Sequence, residues 1–103
     1  GTLTYDAMNI LDKLELNPAK PTVLIIKKNE TIKMFCVALC KEQVLQKHQA
    51  KVPSLLIVLK GYIQFRIGDE AITLREFDTY QIPVQTDHEV VGLGDENVTQ
   101  ELK

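Results

Sequence analysis

The chain has no tryptophan, two cysteines, two histidines and five glycines among its 103 residues. Each scarcity excludes something. Two cysteines cannot build the disulfide framework that stabilises many small secreted domains. On a β-strand, Cys36 and Cys40 would have Cα atoms roughly 13 Å apart at ~3.3 Å per residue, beyond the ~7 Å limit for a bridge. On a helix they would be neighbours. The strand reading makes them small buried hydrophobes, and a reducing, cytoplasmic setting fits. The glycines form no phosphate-cradling loop, there is no CxxC pair, and neither histidine stands in a Ser-His-acid pattern. No apolar run approaches the ~20 residues of a membrane-spanning helix, so no membrane partner is expected. Positive charge is not in excess: the net charge is −2 and the isoelectric point about 5.6. Lys27, Lys28, Lys47 and Lys51 are scattered among acids rather than gathered into the basic stripe of a nucleic-acid binder, and no such partner is expected. No charged-then-apolar leader opens the chain, and Gly1 in place of Met predicts a processed or engineered start.

What is present is an ordinary globular composition, 45% apolar and 25% charged, in a chain of single-domain size. Residues 1–21 read as an N-terminal segment with a short helix over Tyr5 to Lys13. Asn17-Pro18 and Lys20-Pro21 end it, because proline removes a donor and restricts the residue before it. Residues 22–103 then read as strands. Thr22–Lys28 is β-branched, and Ile32–Cys40 and Val44–Gln49 follow across short turns. Ser54–Lys60 is an unbroken apolar run between Pro53 and Gly61. Tyr62–Ile67 alternates, and the turn Gly68-Asp69-Glu70 returns it to Ala71–Leu74 as a hairpin. Thr79–Pro83, His88–Val91 and a weakly alternating tail, Asn97–Leu102, complete the series. Short strands at regular spacing, without alternating helices, predict an all-β sandwich or barrel.

Ser54–Lys60 carries a further expectation. Leu55, Ile57 and Leu59 point to one side and Leu56 and Val58 to the other, so neither face is polar as on a half-solvated strand. Both faces should be covered, one by the barrel interior and the other by a second layer or subunit. A homodimer is the expected assembly.

The stretch His48–Gly92 resembles the cupin family, in the small RmlC-like form. A first motif of His, His, Glu and Gly falls on His48, Ala50, Ser54 and Gly61. A second of Gly, Pro, Gly, His and Asn falls on Phe77, Pro83, Gln85, His88 and Gly92. The spacings are kept throughout, while His48, Gly61, Pro83 and His88 keep the residue type as well. The resemblance implies a double-stranded β-helix, or jelly-roll barrel, with the motif residues around an internal cavity. Phe77 in a glycine slot predicts an ordinary φ at that turn.

In metal-binding cupins three histidines and one glutamate converge on an ion. Here Ala50 cannot ligate and Ser54 is a poor ligand, leaving His48 and His88 as the metal ligands the resemblance implies. Two imidazoles would hold a divalent transition metal weakly, so no tightly bound cofactor is expected. The pocket residues are His48, Ala50, Ser54 and His88. The same histidines could serve instead as polar anchors or acid–base groups for a small-molecule ligand, or as hydrogen-bonded core residues. Asp87 and Glu89 read as solvated loop acids, with Glu89 pointing away from the barrel by strand alternation. Tyr62 and Tyr80 read as packing residues. Two functions follow: a small-molecule-binding barrel with a degenerate metal site, or a metal-dependent enzyme of isomerase or oxygenase type using two histidines.

Overall fold

The computed structural model describes residues 7–103 and, for Lys47 and His48, the backbone alone. Among the described residues there is one short helix, α1 (Ile10–Lys13), and nine strands. The strands are β1 (Thr22–Lys28), β2 (Lys33–Cys40), β3 (Val44–His48), β4 (Ser54–Lys60), β5 (Tyr62–Ile67), β6 (Glu70–Arg75), β7 (Thr79–Ile82), β8 (His88–Gly92) and β9 (Glu96–Leu102). They form a five-stranded sheet in the order β1-β2-β9-β4-β7 and a four-stranded sheet in the order β3-β8-β5-β6. Every pairing is antiparallel. No helix among the described residues is long and apolar enough to cross a membrane.

The core lies between the sheets. β2 gives it Phe35, Val37 and Leu39, β4 gives Leu56 and Val58, and β5 gives Ile63, Phe65 and Ile67. Residues directly opposite in an antiparallel pair share a face. Asn97, Thr99 and Glu101 of β9 are opposite Leu39, Val37 and Phe35, and Glu101 and Thr99 are also opposite Leu56 and Val58. β9 therefore turns three polar side chains into the core, and all are buried.

Asn97 is the tie between the sheets. Its Oδ1 accepts from the Tyr62 amide at 3.1 Å and the Gly94 amide at 3.0 Å. Its Nδ2 donates to the Leu39 carbonyl at 3.1 Å and the Gly94 carbonyl at 2.8 Å. One side chain thus joins β2, β5 and the arch between β8 and β9. Packing here leaves no room: a Cβ on Gly61, where φ is +73°, would collide with the Glu96 carbonyl and Asn97 Oδ1.

Two details depart from the sequence expectations. The helix covers only Ile10–Lys13, with Tyr5 and Asp6 of the expected span outside the described residues. Asn9 caps it, accepting from the Leu11 and Asp12 amides at 2.9 and 3.2 Å, which fixes its start at residue 10. Phe77 does not have an ordinary φ. It sits at +68°, held by its amide's bond to the Val58 carbonyl at 2.7 Å and by the Asp78 amide's bond to the Arg75 carbonyl at 2.9 Å. Gln85, the other non-glycine in a glycine slot, is at +54°. The left-handed turns of the motif frame are kept without the residue that adopts them most freely.

The outer face of β4 is the one expected to meet a second layer or a second subunit. The strand's inner residues Leu56 and Val58 are fully buried, but on the outer face Leu55 stays 39% exposed and Ile57 and Leu59 are half-buried. Among the described residues the chain fully covers one face, not both. The described part of the N-terminal segment reaches only the Lys60 end of β4, where Leu11, Leu14 and Leu16 line a cleft with Ala38, Lys60 and Val98. Cys36 and Cys40 share β2 as free thiols, and burial pushes the Cys36 thiol up to about 11.

Asn97→Ala would take a partner from the Tyr62 amide and from the Leu39 and Gly94 carbonyls, while the Gly94 amide keeps its bond to the Tyr62 carbonyl at 3.3 Å. At ~1–3 kcal/mol for each group stranded, with partial relaxation, the expected loss is roughly 3 kcal/mol or more in urea unfolding, with an unchanged m-value. A loss below ~1 kcal/mol would show that the sheets are held together elsewhere.

Candidate functional site

His88 opens β8 and is 1% exposed. It is opposite Ile67 as Val90 is opposite Phe65, and both β5 residues belong to the core, so the imidazole faces inward. Its ring centroid is 5.7 Å from that of Phe65, which lies 4.7 Å from that of Tyr80. Its Nδ1 is 3.1 Å from the Thr86 carbonyl oxygen. A carbonyl only accepts, so in the neutral ring Nδ1 carries the proton and Nε2, itself buried, carries the lone pair.

The other frame residues come from neighbouring elements. The backbone of His48 is opposite His88 across β3 and β8, after a register shift beyond Leu45. The His48 side chain lies outside the described residues. Ala50 is buried, and its carbonyl accepts from the Gln85 amide at 2.9 Å, tying the two motif loops together. Ser54 is buried opposite Ile82, and its hydroxyl donates to the Val52 carbonyl at 3.4 Å. A cleft of about 300 Å³ reaches His88 from the surface between Arg66, Gly68, Asp69, Asp87 and Glu89. Glu89 points outward and pairs with Arg66 at 2.8 Å, as strand alternation predicts. Asp87 is half-buried rather than freely solvated and accepts from Gln49 Nε2 at 2.7 Å. Tyr80 packs on Phe65, while Tyr62 is largely exposed.

No protein-family model matches the chain, and no curated protein is similar to it in sequence. Solved structures are similar in fold. A cupin superfamily protein from Desulfitobacterium hafniense aligns over 98% of this chain and 93% of its own, with a TM-score of 0.87 and 13% identity. An RmlC-like cupin from Desulfovibrio desulfuricans aligns over 96% of both chains, with a TM-score of 0.82 and 20% identity. The chain has the cupin fold. A Klebsiella pneumoniae protein described as having a double-stranded β-helix domain agrees, at a TM-score of 0.86 and 10% identity over 96% of this chain and 89% of its own.

Within this cupin barrel the four-ligand metal set of the motif is not assembled. Ala50 has no donor atom, and the Ser54 hydroxyl is turned to a backbone carbonyl. Among the described residues no group of three or more His, Cys, Asp or Glu could hold a metal ion.

The sequence reading passed over one interior acid. Glu101 is 1% exposed, and neither carboxylate oxygen has a hydrogen-bond partner among the described residues. The signal was the tail's alternation: Asn97, Thr99 and Glu101 share one face. The period was legible, but nothing in it said that the polar face was the inner one.

The His88 geometry has a direct readout. Two-dimensional ¹H–¹⁵N correlation through the ring protons should show His88 with a protonated Nδ1 and an unprotonated Nε2 at neutral pH. The opposite tautomer would break the link to Thr86 and remove the inward lone pair.

Proposed function

We propose that this barrel is a small-molecule-binding module with a degenerate, metal-poor site. One observation carries the reading: His88 is buried in the interior with its Nδ1 turned to Thr86, while the frames that would complete a metal cage hold Ala50 and Ser54. A buried imidazole is a polar group in a mostly apolar interior, of the kind that orients a bound small molecule. The cleft beside Arg66 and Asp87 supports an entry path to it. The free, partly buried thiols fit a reducing compartment such as the cytoplasm.

The metal-dependent reading, an isomerase or oxygenase using His48 and His88, draws on the backbone register that sets these two residues opposite each other. Elemental analysis separates the readings. Protein dialysed against chelator is expected to hold far less than one equivalent of Mn, Fe, Ni or Zn. The double variant Ala50→His/Ser54→Glu is expected to bind Ni or Zn at least tenfold more tightly than wild type, because it restores two donors to the frame. Stoichiometric metal in the dialysed wild type would put the enzyme reading first.

The assembly proposed is a homodimer through apolar surface that stays exposed among the described residues. Leu55 on β4 and Val23 and Ile25 on the edge strand β1 are 39%, 54% and 49% exposed. Light scattering at micromolar concentration should give twice the chain mass of 11.7 kDa, and Leu55→Lys should shift it toward the monomer if the β4 face is the contact. A wild-type mass of 11.7 kDa would dismiss the dimer.

A further inference from the structure

We infer that Lys33, Lys51 and Lys103 form an anion-binding mouth at the end of the barrel away from Asn97, taking a small organic anion by its carboxylate or phosphate group. This rests on the ligand-binding reading above and names the charge of the ligand.

The sheet register brings the lysines together. Lys33 and Lys103 exchange backbone hydrogen bonds at 2.8 and 3.3 Å, and Lys28 is opposite Lys33 on its other side. Residues directly opposite share a face, so β1, β2 and the residue that follows β9 present three lysines in one row. That face is the inner one, because Lys33 stands two residues before Phe35 of the core. The Lys33 and Lys103 ammonium groups both lie over the Phe35 ring, 5.2 and 5.5 Å from its centroid. The row also adjoins the degenerate motif. Leu102 is opposite Leu55, which sets Lys103 level with Ser54. Lys51 follows Ala50, and with Lys33 and Lys103 it lines a cleft of about 360 Å³ bounded by residues 29–32 and Val52.

Stability of the sheet does not explain this row. Like charges directly opposite one another are destabilising, and here two such pairs share one line. A lysine on an edge strand guards against stray pairing, which accounts for Lys28 on β1. It does not account for Lys33 on β2 or Lys103 beside β9, because both strands lie inside the sheet. The ion pairs between described residues join Lys60 to Glu96 and Arg66 to Glu89, and neither takes up a lysine of the cleft. Glu101 lies deeper on the same face, opposite Phe35, and Glu30 lines the cleft. These two carboxylates offset part of the charge, but four ammonium groups, counting Lys28, stand against them. A cleft lined by one sign of charge concentrates ions of the other. A lysine ammonium meets carboxylate or phosphate oxygens as a compact point charge. Ile32 and Val52 in the same wall offer the ligand's carbon skeleton an apolar contact.

The test is ¹H–¹⁵N NMR titration of the wild-type chain with sodium succinate, sodium phosphate, butylammonium chloride and butanol, at an ionic strength held constant with sodium chloride. Succinate, phosphate or both should move the amides of Lys33, Lys51 and Lys103 to saturation, and the tighter of the two names the anionic group. The double variant Lys33→Gln/Lys103→Gln should weaken anion binding by about tenfold or more, and Lys51→Gln by about threefold. Lys41→Gln, at an exposed turn beyond the far end of β2, should leave the affinity unchanged. Should the double variant not fold, Lys51→Gln decides, because that lysine is exposed on a loop. Equal affinity in wild type and the cleft variants, or the same shifts with sodium chloride alone, would overturn the assignment. Binding of butylammonium or butanol with neither anion bound would defeat it while leaving the ligand-binding reading in place. No response to any probe would overturn the assignment and count against the ligand-binding reading with it.

Discussion

The barrel hangs on the amide of Asn97. A sandwich of two sheets needs something to fix one against the other, and apolar packing alone is non-directional. Asn97 supplies direction. Its four bonds reach β2 in one sheet, β5 in the other, and the arch at Gly94. Satisfied networks of this kind specify a single arrangement, because a small shift would strand buried donors and acceptors. The crowding at Gly61 and Gly92 follows from it, since both approach Asn97 too closely to carry a side chain. From this fixed end, β8 and β9 run outward and deliver His88 and Glu101 to the opposite half of the interior.

Much of the strand order was legible because period-two alternation is a local property. Ile63, Phe65 and Ile67 alternate with Gln64 and Arg66, and the structure puts the first set in the core. The cupin spacing from His48 to His88 carried the topology that alternation cannot supply. Alternation does not say which face is inside when both are polar or both apolar. For β9 the polar face went in, and Glu101 was overlooked. For β4 both faces are apolar, and in the single chain only the inner one is fully buried.

The glycine slots teach something similar. Residue type was a poor guide to backbone shape at Phe77 and Gln85, both of which hold positive φ. A side chain in the left-handed region costs roughly 1–2 kcal/mol, and local hydrogen bonding can hold it there. At Phe77, the bonds of Val58, Arg75 and Asp78 do so, while the ring itself points to solvent, 74% exposed. At Gln85, the bond to the Ala50 carbonyl does the same and joins the two motif loops. The frame survives because its geometry is held by contacts, not by glycine alone.

The central place of β9 between β2 and β4 has a consequence for how the chain emerges from the ribosome. The strands that flank it are synthesised long before it, and neither has another route to join the two halves of that sheet. Until Glu96–Leu102 is released, β1-β2 and β4-β7 are separate hairpin-like pieces with open edges, and Asn97 is absent from the place where both sheets lock. Long-range pairings of this sort fold slowly, and unpaired edges meanwhile invite association with other chains. A nascent chain lacking only this strand would have most of its apolar residues but no barrel in which to hide them.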